Sequence, residues 1–111
     1  MGVDTWAAEI VLELKETYPD IMLVAAIPFP EQAKLWSEKH RLRYNHILSL
    51  CDSIQIVSLS HSSSCMMRRN KFMVDNSDYV IAVWNGSASG GTAKTLGYAQ
   101  KLNKKTVIIP C

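Results

Sequence analysis

The stretch "DYVIAVWNGSASGGTAKT", residues 78–95, decides how this chain is expected to fold. Its first part, "YVIAVW" (79–84), is a continuous apolar run, which is the pattern of a strand buried on both faces of a parallel sheet. Small and glycine residues follow over 85–92, and apolar residues at helical spacing predict a helix over about 92–103. A buried strand that turns directly into a helix is the repeating element of α/β proteins.

The same alternation extends outward over the whole chain. Periodicity predicts helices over 4–17, 31–50 and 66–77, and apolar runs predict strands over 21–27, 54–59 and within 104–110. The resulting order, α-β-α-β-α-β-α-β, is typical of a parallel sheet with helices on both faces. We therefore predict an α/β fold, a Rossmann-like three-layer structure around a parallel sheet of about four strands, in a single domain over residues 1–111.

The first predicted helix is amphipathic. Trp6, Ile10 and Leu14 recur at i and i+4, so we expect this stripe to face the core. Asp4 precedes the stripe, and its carboxylate is expected to cap the amino terminus of the helix. Trp6 has a second interpretation as a platform that stacks on a nucleobase, but a core position is the more common role for such a side chain.

Composition narrows the class of protein. The chain has 111 residues, of which 48% are hydrophobic and 20% charged, so it is long enough for one globular domain. Lys and Arg number 12 against 10 Asp and Glu, an excess too small to indicate a nucleic-acid partner. No apolar run approaches the ~20 residues that cross a bilayer, and no signal peptide is recognisable. The sequence thus predicts a cytoplasmic protein without a membrane or nucleic-acid partner.

The cysteines point to the same compartment. Cys51, Cys65 and Cys111 form no CxxC pair, which is typical of reduced thiols. His61 precedes Cys65 by four residues, but no further ligands lie at zinc spacing and no base for a reactive thiol is evident. We therefore predict no metal site, no cofactor and no cysteine catalysis.

The glycine-rich turn after residue 84 is the most informative candidate site. It follows the carboxyl end of a predicted strand, where α/β proteins bind their ligands. Small residues let backbone N–H groups approach an anion closely, and the next helix directs its positive end at the same place. The turn is neither a Walker A loop nor a GxGxxG motif, so a plain helix-starting turn is an equal alternative. The candidate phosphate-binding residues are Asn85, Gly86, Ser87, Ser89, Gly90, Gly91 and Thr92.

Two motifs resemble a known superfamily. "RRNKFMVDNSDYVIAVWNGSASGGTAKT" (68–95) resembles the signature of the SLOG superfamily, in which basic residues and a buried strand precede a Gly-Gly-x-Gly-Thr turn. This superfamily groups the LOG phosphoribohydrolases, the DprA/Smf proteins and the YpsA-like proteins. "GVDTWAAE" (2–9) is similar to a helix of the YpsA-like branch. The resemblance spans nearly the whole chain and implies a Rossmann-like fold that holds a nucleotide or nucleotide-derived ligand.

The resemblance also implies roles for single residues. LOG enzymes cleave an N-glycosidic bond with an arginine before the strand and a glutamate after Gly-Thr, and these positions are Arg69 and Thr95 here. A threonine cannot act as a general base or stabilise an oxocarbenium ion as a carboxylate does. We therefore expect Arg69 to assist phosphate binding and predict no catalytic residue. The expected pocket-lining residues are Gly2, Asp4, Trp6 and His61.

The beginning of the chain departs from the family pattern. Family members reach the Gly-Val-Asp segment only after a β-α-β unit that contains the central strand, whereas Met1 falls within that segment here. The resemblance thus implies a domain that lacks the usual N-terminal β-α-β. An unpaired apolar edge promotes association unless something covers it. We therefore expect a homo-oligomer in which a second copy completes the core.

Three functional hypotheses follow. The first is a binder of a nucleotide-type small molecule, non-catalytic, with a sensor or sequestering role. The second is a nucleotide N-glycosidase of the phosphoribohydrolase type, in which Asp75 or Asp78 replaces the missing glutamate. The third is a structural module whose pocket is vestigial. The threonine at position 95 favours a binder over an enzyme.

Overall fold

The structure, a computed structural model, describes residues 2–111, and its elements alternate helix and strand from one end to the other. The predicted α/β class and the Rossmann-like order of elements are confirmed. The helices are α1 (Val3–Leu14), α2 (Glu38–Leu50), α3 (Cys65–Asp75) and α4 (Gly91–Lys101), and the strands are β1 (Val24–Ile27), β2 (Ser53–Ile56), β3 (Tyr79–Trp84) and β4 (Lys105–Pro110).

The strands pair within two compact units, Met1–His61 and Ser62–Cys111, here called the N-terminal and the C-terminal unit. β1 pairs with β2 in the first and β3 pairs with β4 in the second, both in parallel. One helix connects the two strands of each pair, as parallel neighbours require. Within residues 2–111 no ladder joins the pairs, so the expected single sheet of about four strands is present as two sheets of two strands. That the chain is a single domain stays a prediction.

The N-terminal unit combines a small apolar core with ion pairs. Pro28 is less than 2% exposed, and Ile27 of β1 and Ile47 of α2 are 5% and 8% exposed. Asp52, just before β2, accepts hydrogen bonds from Lys15 Nζ and from the backbone N–H of Leu23, each at 2.7 Å. This carboxylate therefore ties the end of α1 to the starts of both strands.

The face of α1 that points inward differs from the prediction. Trp6 is 59% exposed, Ile10 55% and Leu14 45%, so the expectation that this stripe faces the core is wrong. Glu9 forms an ion pair with Arg43 of α2 from another side of the helix. The half-buried apolar residues Ala8, Val11 and Leu12 lie on that side of α1, whereas the Trp6 stripe remains exposed.

Two helices also begin differently from the prediction. Gly2 occupies the N-cap position of α1, so the expected cap by Asp4 is wrong. The Asp4 carboxylate lies in the first turn instead, where it interacts favourably with the positive end of the helix dipole. α2 begins at Glu38 instead of residue 31, because the Ser37 hydroxyl caps it by accepting a hydrogen bond from the backbone N–H of His40 at 3.4 Å. A serine with the right spacing thus outweighs the apolar residues before it.

The C-terminal unit carries the turn that the sequence singles out. β3 and β4 pair over their full length, from Tyr79 opposite Lys105 to Trp84 opposite Pro110. The short segment between Trp84, the last residue of β3, and Gly91, the first of α4, therefore lies at the carboxyl end of the strand. The buried apolar side chains that hold α3 and α4 in this unit are Cys65, Val74, Leu96 and Ala99.

Candidate functional site

The candidate site consists of residues 85–92, here called the glycine turn. It begins after Trp84, the last residue of β3, and α4 starts within it at Gly91. All of its residues are exposed. Gly86 and Gly90 adopt positive φ values of 86° and 101°, a region that residues with a Cβ rarely occupy. The change of direction from strand to helix therefore depends on glycine at these two positions.

The glycine turn is held by its own hydrogen bonds. Asn85 Oδ1 accepts a hydrogen bond from the backbone N–H of Ser87 at 2.9 Å. The Trp84 indole Nε1 donates to the carbonyl of Ser87 at 3.0 Å, and the hydroxyl oxygens of Ser87 and Ser89 lie 3.3 Å apart. These internal bonds hold the turn in one conformation.

The amino terminus of α4 is open to an anion. Gly90 occupies the N-cap position, and no side chain of the described residues caps this helix. The backbone N–H groups of Gly91, Thr92 and Ala93 belong to the first turn, where no intrahelical acceptor exists for them. With the positive end of the helix dipole they form the kind of cradle that binds phosphate. The exposed Lys94 adds a cation one residue further on.

Thr95 occupies the position at which the family resemblance places a catalytic glutamate. Its hydroxyl donates a hydrogen bond to the carbonyl of Gly91 at 2.8 Å, one helical turn back. Threonine hydroxyls commonly make this bond to their own helix. Because the hydroxyl carries no charge and is engaged with the backbone, this side chain offers neither a general base nor an anion.

The two adjacent arginines of α3 differ in exposure. Arg69 is half-buried and Arg68 is exposed, as expected for neighbours that point about 100° apart on a helix. Arg69 Nε donates to Asn70 Oδ1 at 2.8 Å, and its Nη2 lies 4.0 Å from Met66 Sδ. Because these bonds hold the guanidinium along its own helix, the part of Arg69 in phosphate binding stays a prediction.

The other predicted lining residues belong to the N-terminal unit. Gly2, Asp4 and Trp6 lie at the start of α1. The His61 ring packs edge-on against Phe29, with the ring centres 5.1 Å apart and the planes at 81°. The glycine turn belongs to the C-terminal unit, so a pocket shared by all of these residues stays a prediction.

Sequence reasoning does not predict the hydrogen bond between Tyr98 and Asp75 in the C-terminal unit. Tyr98 OH donates to Asp75 Oδ1 at 2.5 Å, which joins α4 to α3, and Lys71 Nζ lies 5.3 Å from the centre of the Tyr98 ring. The hydrogen bond to this carboxylate, with desolvation adding to it, raises the pKa of Tyr98. No local pattern indicates a bond between such distant residues. The Trp84 bond to the glycine turn could be anticipated from sequence, because an aromatic N–H donor beside a polar turn commonly donates a hydrogen bond to that turn.

Residues 2–111 contain neither a cluster of metal ligands nor a helix that could span a membrane. In that part of the chain no three His, Cys, Asp or Glu side chains come together as metal ligands. Each helix of the same residues is too short or too polar to cross a membrane. The cysteines are free thiols, with Cys65 buried, Cys51 half-buried and Cys111 exposed.

Comparison with known proteins gives the family. The model described as the YspA SLOG family matches residues 1–109. A UPF0398 protein of Halalkalibacterium halodurans is 33% identical over 103 residues, and the UPF0398 protein YpsA of Bacillus subtilis is 33% identical over 105. A UPF0398 protein of Bacillus licheniformis is 30% identical over 109 residues. These alignments cover 91%, 91% and 95% of this chain but 54%, 57% and 58% of the relatives, so the chain spans about half the length of the curated relatives it matches. The chain therefore belongs to the YpsA SLOG family.

Proposed function

We propose that the glycine turn binds the phosphate group of a nucleotide or nucleotide-derived ligand and leaves the ligand intact. The observation that carries this proposal is the uncapped amino terminus of α4, preceded by an exposed turn that its own hydrogen bonds hold in shape. Phosphate suits such a terminus because its oxygens accept several N–H bonds and its charge meets the positive end of the helix dipole. A sensor or sequestering role fits a site that holds its ligand unchanged.

The nucleotide class of the ligand is inferred from the SLOG resemblance, and the cations of the C-terminal unit support it. Lys94 lies in the first helical turn after the glycine turn and is exposed. Arg69 lies in the same compact unit. A guanidinium binds phosphate oxygens in a bidentate manner once it exchanges a neutral partner such as Asn70 for the anion.

The carboxylates of this unit argue against cleavage of an N-glycosidic bond. Thr95 lies where LOG enzymes have their glutamate, and its hydroxyl bonds to its own helix. Asp75 accepts a hydrogen bond from Tyr98. Asp78 precedes β3, at the end of the strand opposite the glycine turn. A nucleotide N-glycosidase is therefore the weaker alternative, and a structural module is the conclusion if no nucleotide binds.

Thermal shift tests the proposal with AMP, ADP, ATP, cyclic nucleotides, NAD and ADP-ribose, and with adenosine as the phosphate-free control. Gly91→Asp is the decisive variant. A Cβ at Gly91 would meet no atom within 4 Å, so the substitution should not distort the turn. Its carboxylate would interact favourably with the positive end of the helix and occupy the place of the anion. Gly91→Ala adds the Cβ without the charge and is the matched control. We expect one nucleotide to raise the Tm of the wild type and of Gly91→Ala, with no shift in Gly91→Asp.

Three results would contradict parts of this proposal. Equal shifts with adenosine and AMP would exclude phosphate as the recognised group. A well-folded protein whose Tm no ligand changes would be a structural module. Release of the free base from the bound nucleotide, detected by chromatography, would show that the protein is an N-glycosidase.

A cytoplasmic location and self-association are further parts of the proposal. The three free cysteines support a reducing compartment. Exposed apolar side chains such as Ile81, 68% exposed, support association with another surface. Size-exclusion chromatography with light scattering measures the oligomeric state, and a monodisperse monomer would contradict self-association.

A further inference from the structure

The charges of the chain are divided unevenly between its two units. The N-terminal unit contains five Lys and Arg residues against eight Asp and Glu, whereas the C-terminal unit contains seven Lys and Arg residues, two Asp and no Glu. The ion pairs of the described residues all lie in the N-terminal unit. The unit that carries the glycine turn is therefore basic, and its cations form no ion pair within residues 2–111.

Tyr98 identifies the sides on which α3 and α4 face each other. Its hydroxyl donates a hydrogen bond to Asp75 Oδ1 at 2.5 Å, and Lys71 Nζ lies 5.3 Å from the centre of its ring. Each residue turns a helix by about 100°, so Arg68 lies only about 20° from Asp75 around α3. Lys94 likewise lies about 40° from Tyr98 around α4. Three cations therefore lie on the facing sides of two helices that contact each other.

The two helices also run in the same direction. Each has 11 residues and leads into its strand through a three-residue link, α3 into β3 and α4 into β4. The first residues of these strands, Tyr79 and Lys105, are paired, so both helices end at the same edge of the sheet. Arg68 and Lys94 are each the fourth residue of their helix. They therefore lie level with each other, toward the end at which α4 leaves the glycine turn.

These three cations are available to an anion. Arg68, Lys71 and Lys94 are exposed. The contact of Lys71 is with a neutral ring, so its charge is not compensated. Asp75 is the one carboxylate on this surface, and it lies two helical turns, about 10 Å along the axis, from Arg68. It also accepts the Tyr98 hydroxyl. The surface between Arg68 and Lys94 thus favours negative charge.

We propose that Arg68, Lys71 and Lys94 bind a second phosphate group of the ligand whose first phosphate lies on the glycine turn. This inference rests on the proposed function. It assigns the ligand to compounds with two or more linked phosphates, such as a nucleoside diphosphate, in preference to monophosphates. The Arg68 guanidinium binds two phosphate oxygens at once, and the lysines add charge without a fixed geometry. A monophosphate would leave these cations without an anionic partner.

Isothermal titration calorimetry in Mg²⁺-free buffer tests the inference. AMP is compared with ADP, and inorganic phosphate with pyrophosphate, which repeats the comparison without a nucleoside. The wild type should bind each diphosphate at least about tenfold more tightly than its monophosphate, because the added bonds are charge-assisted. The double variant Arg68→Gln, Lys71→Gln should lower the affinity for ADP at least about fivefold more than that for AMP. Lys39→Gln is the matched control, because Lys39 is exposed and lies in the N-terminal unit, and it should keep the wild-type preference.

Each other result contradicts a defined part of the argument. Equal affinities for AMP and ADP, and for phosphate and pyrophosphate, would overturn this inference and leave the phosphate site of the glycine turn in place. A preference for ADP that the double variant keeps would exclude Arg68 and Lys71 as its cause. A folded wild type that binds none of the four compounds would refute the proposed function and this inference together. Far-UV circular dichroism checks that the double variant folds, and Arg68→Gln alone replaces it if it does not.

Discussion

The two units share an order of elements and differ at the start of their second helix. In each unit a strand leads into a helix that returns to a second, parallel strand. α2 starts behind the Ser37 hydroxyl, which accepts a hydrogen bond from the His40 N–H. α4 starts behind Gly90, and no described side chain caps it. A helix start that a side chain satisfies has fewer donors for an anion, so the start of α4 suits an anion better than the start of α2 does.

The units also differ in what holds their helices. In the N-terminal unit Asp52 pairs with Lys15 at 2.7 Å, and Glu9 pairs with Arg43. In the C-terminal unit apolar burial dominates, with Leu96 only 3% exposed. We therefore expect the C-terminal unit to be most sensitive to loss of apolar volume and the N-terminal unit to acid.

The largest expected effect is that of Leu96→Ala. Truncation of this buried leucine removes apolar contacts and leaves a cavity under α4, at a cost of about 2–4 kcal/mol in the free energy of unfolding. Urea denaturation measures the loss, and hydrogen exchange should localise it to residues 62–111. The matched control is Leu35→Ala, because Leu35 is 93% exposed and its truncation should cost less than about 0.5 kcal/mol. Equal losses in the two variants would break the comparison.

The next effect contrasts two glycines of the C-terminal unit. Gly90 has φ +101°, so Gly90→Ala forces a Cβ into a strained backbone and should cost about 1–2 kcal/mol. Gly97 lies inside α4 with no atom within 4 Å of a new Cβ, so Gly97→Ala should stabilise the protein by about 0.5–1 kcal/mol. Urea midpoints measure both changes. A stabilising shift for Gly90→Ala, like that expected for Gly97→Ala, would show that the backbone of the glycine turn relaxes.

A smaller effect is expected at low pH in the N-terminal unit. The hydrogen bond from Lys15, and next that from the Leu23 N–H, lower the pKa of Asp52 below its usual 3.8. The folded state then binds this proton less tightly than the unfolded state, so the stabilisation is present above pH 3.8 and is lost as the pH falls through the lowered value. Asp52→Asn should therefore lower the Tm at neutral pH and flatten its decline between about pH 5 and pH 2. If the Tm of Asp52→Asn fell at low pH as steeply as that of the wild type, Asp52 would not contribute to the acid sensitivity.

The smallest effect is expected at high pH in the C-terminal unit. The hydrogen bond to Asp75 raises the pKa of Tyr98 above its usual 10.0. The neutral phenol stabilises the fold, so its contribution is fully present below pH 10.0 and is lost as the pH rises through the raised value. Tyr98→Phe should show a smaller drop in urea midpoint between about pH 8 and pH 11 than the wild type does. Equal alkaline drops would mean that the bond contributes nothing measurable.

The sequence predicts the elements better than it predicts their faces. Apolar runs and a glycine cluster suffice to place β3, the glycine turn and α4, because these signals are local. The rotation of α1 is not local, since Trp6 and Leu12 lie on different sides of the same helix and both are apolar. The side that contacts α2 includes Glu9, whose ion-pair partner Arg43 lies 34 residues away in the sequence.

The candidate site divides in the same way. Glycine at positions 86 and 90 indicates the turn, and both residues adopt positive φ as such turns require. The bond from Trp84 Nε1 to the Ser87 carbonyl needs backbone coordinates that no pattern of residue types supplies. Arg69 is found only through the family signature, because an isolated arginine on a helix is usually a solvated charge.

The register of the two sheets has a consequence for the rate of folding. Val24 pairs with Ser53 and Tyr79 with Lys105, so the chain closes each sheet across only 29 and 26 residues. The entropy lost on closing loops of such length is modest, and chains whose contacts are local in sequence fold quickly. Neither sheet needs strands from opposite ends of the chain before it can form. Each β-α-β unit can therefore nucleate on its own segment as soon as that segment has left the ribosome.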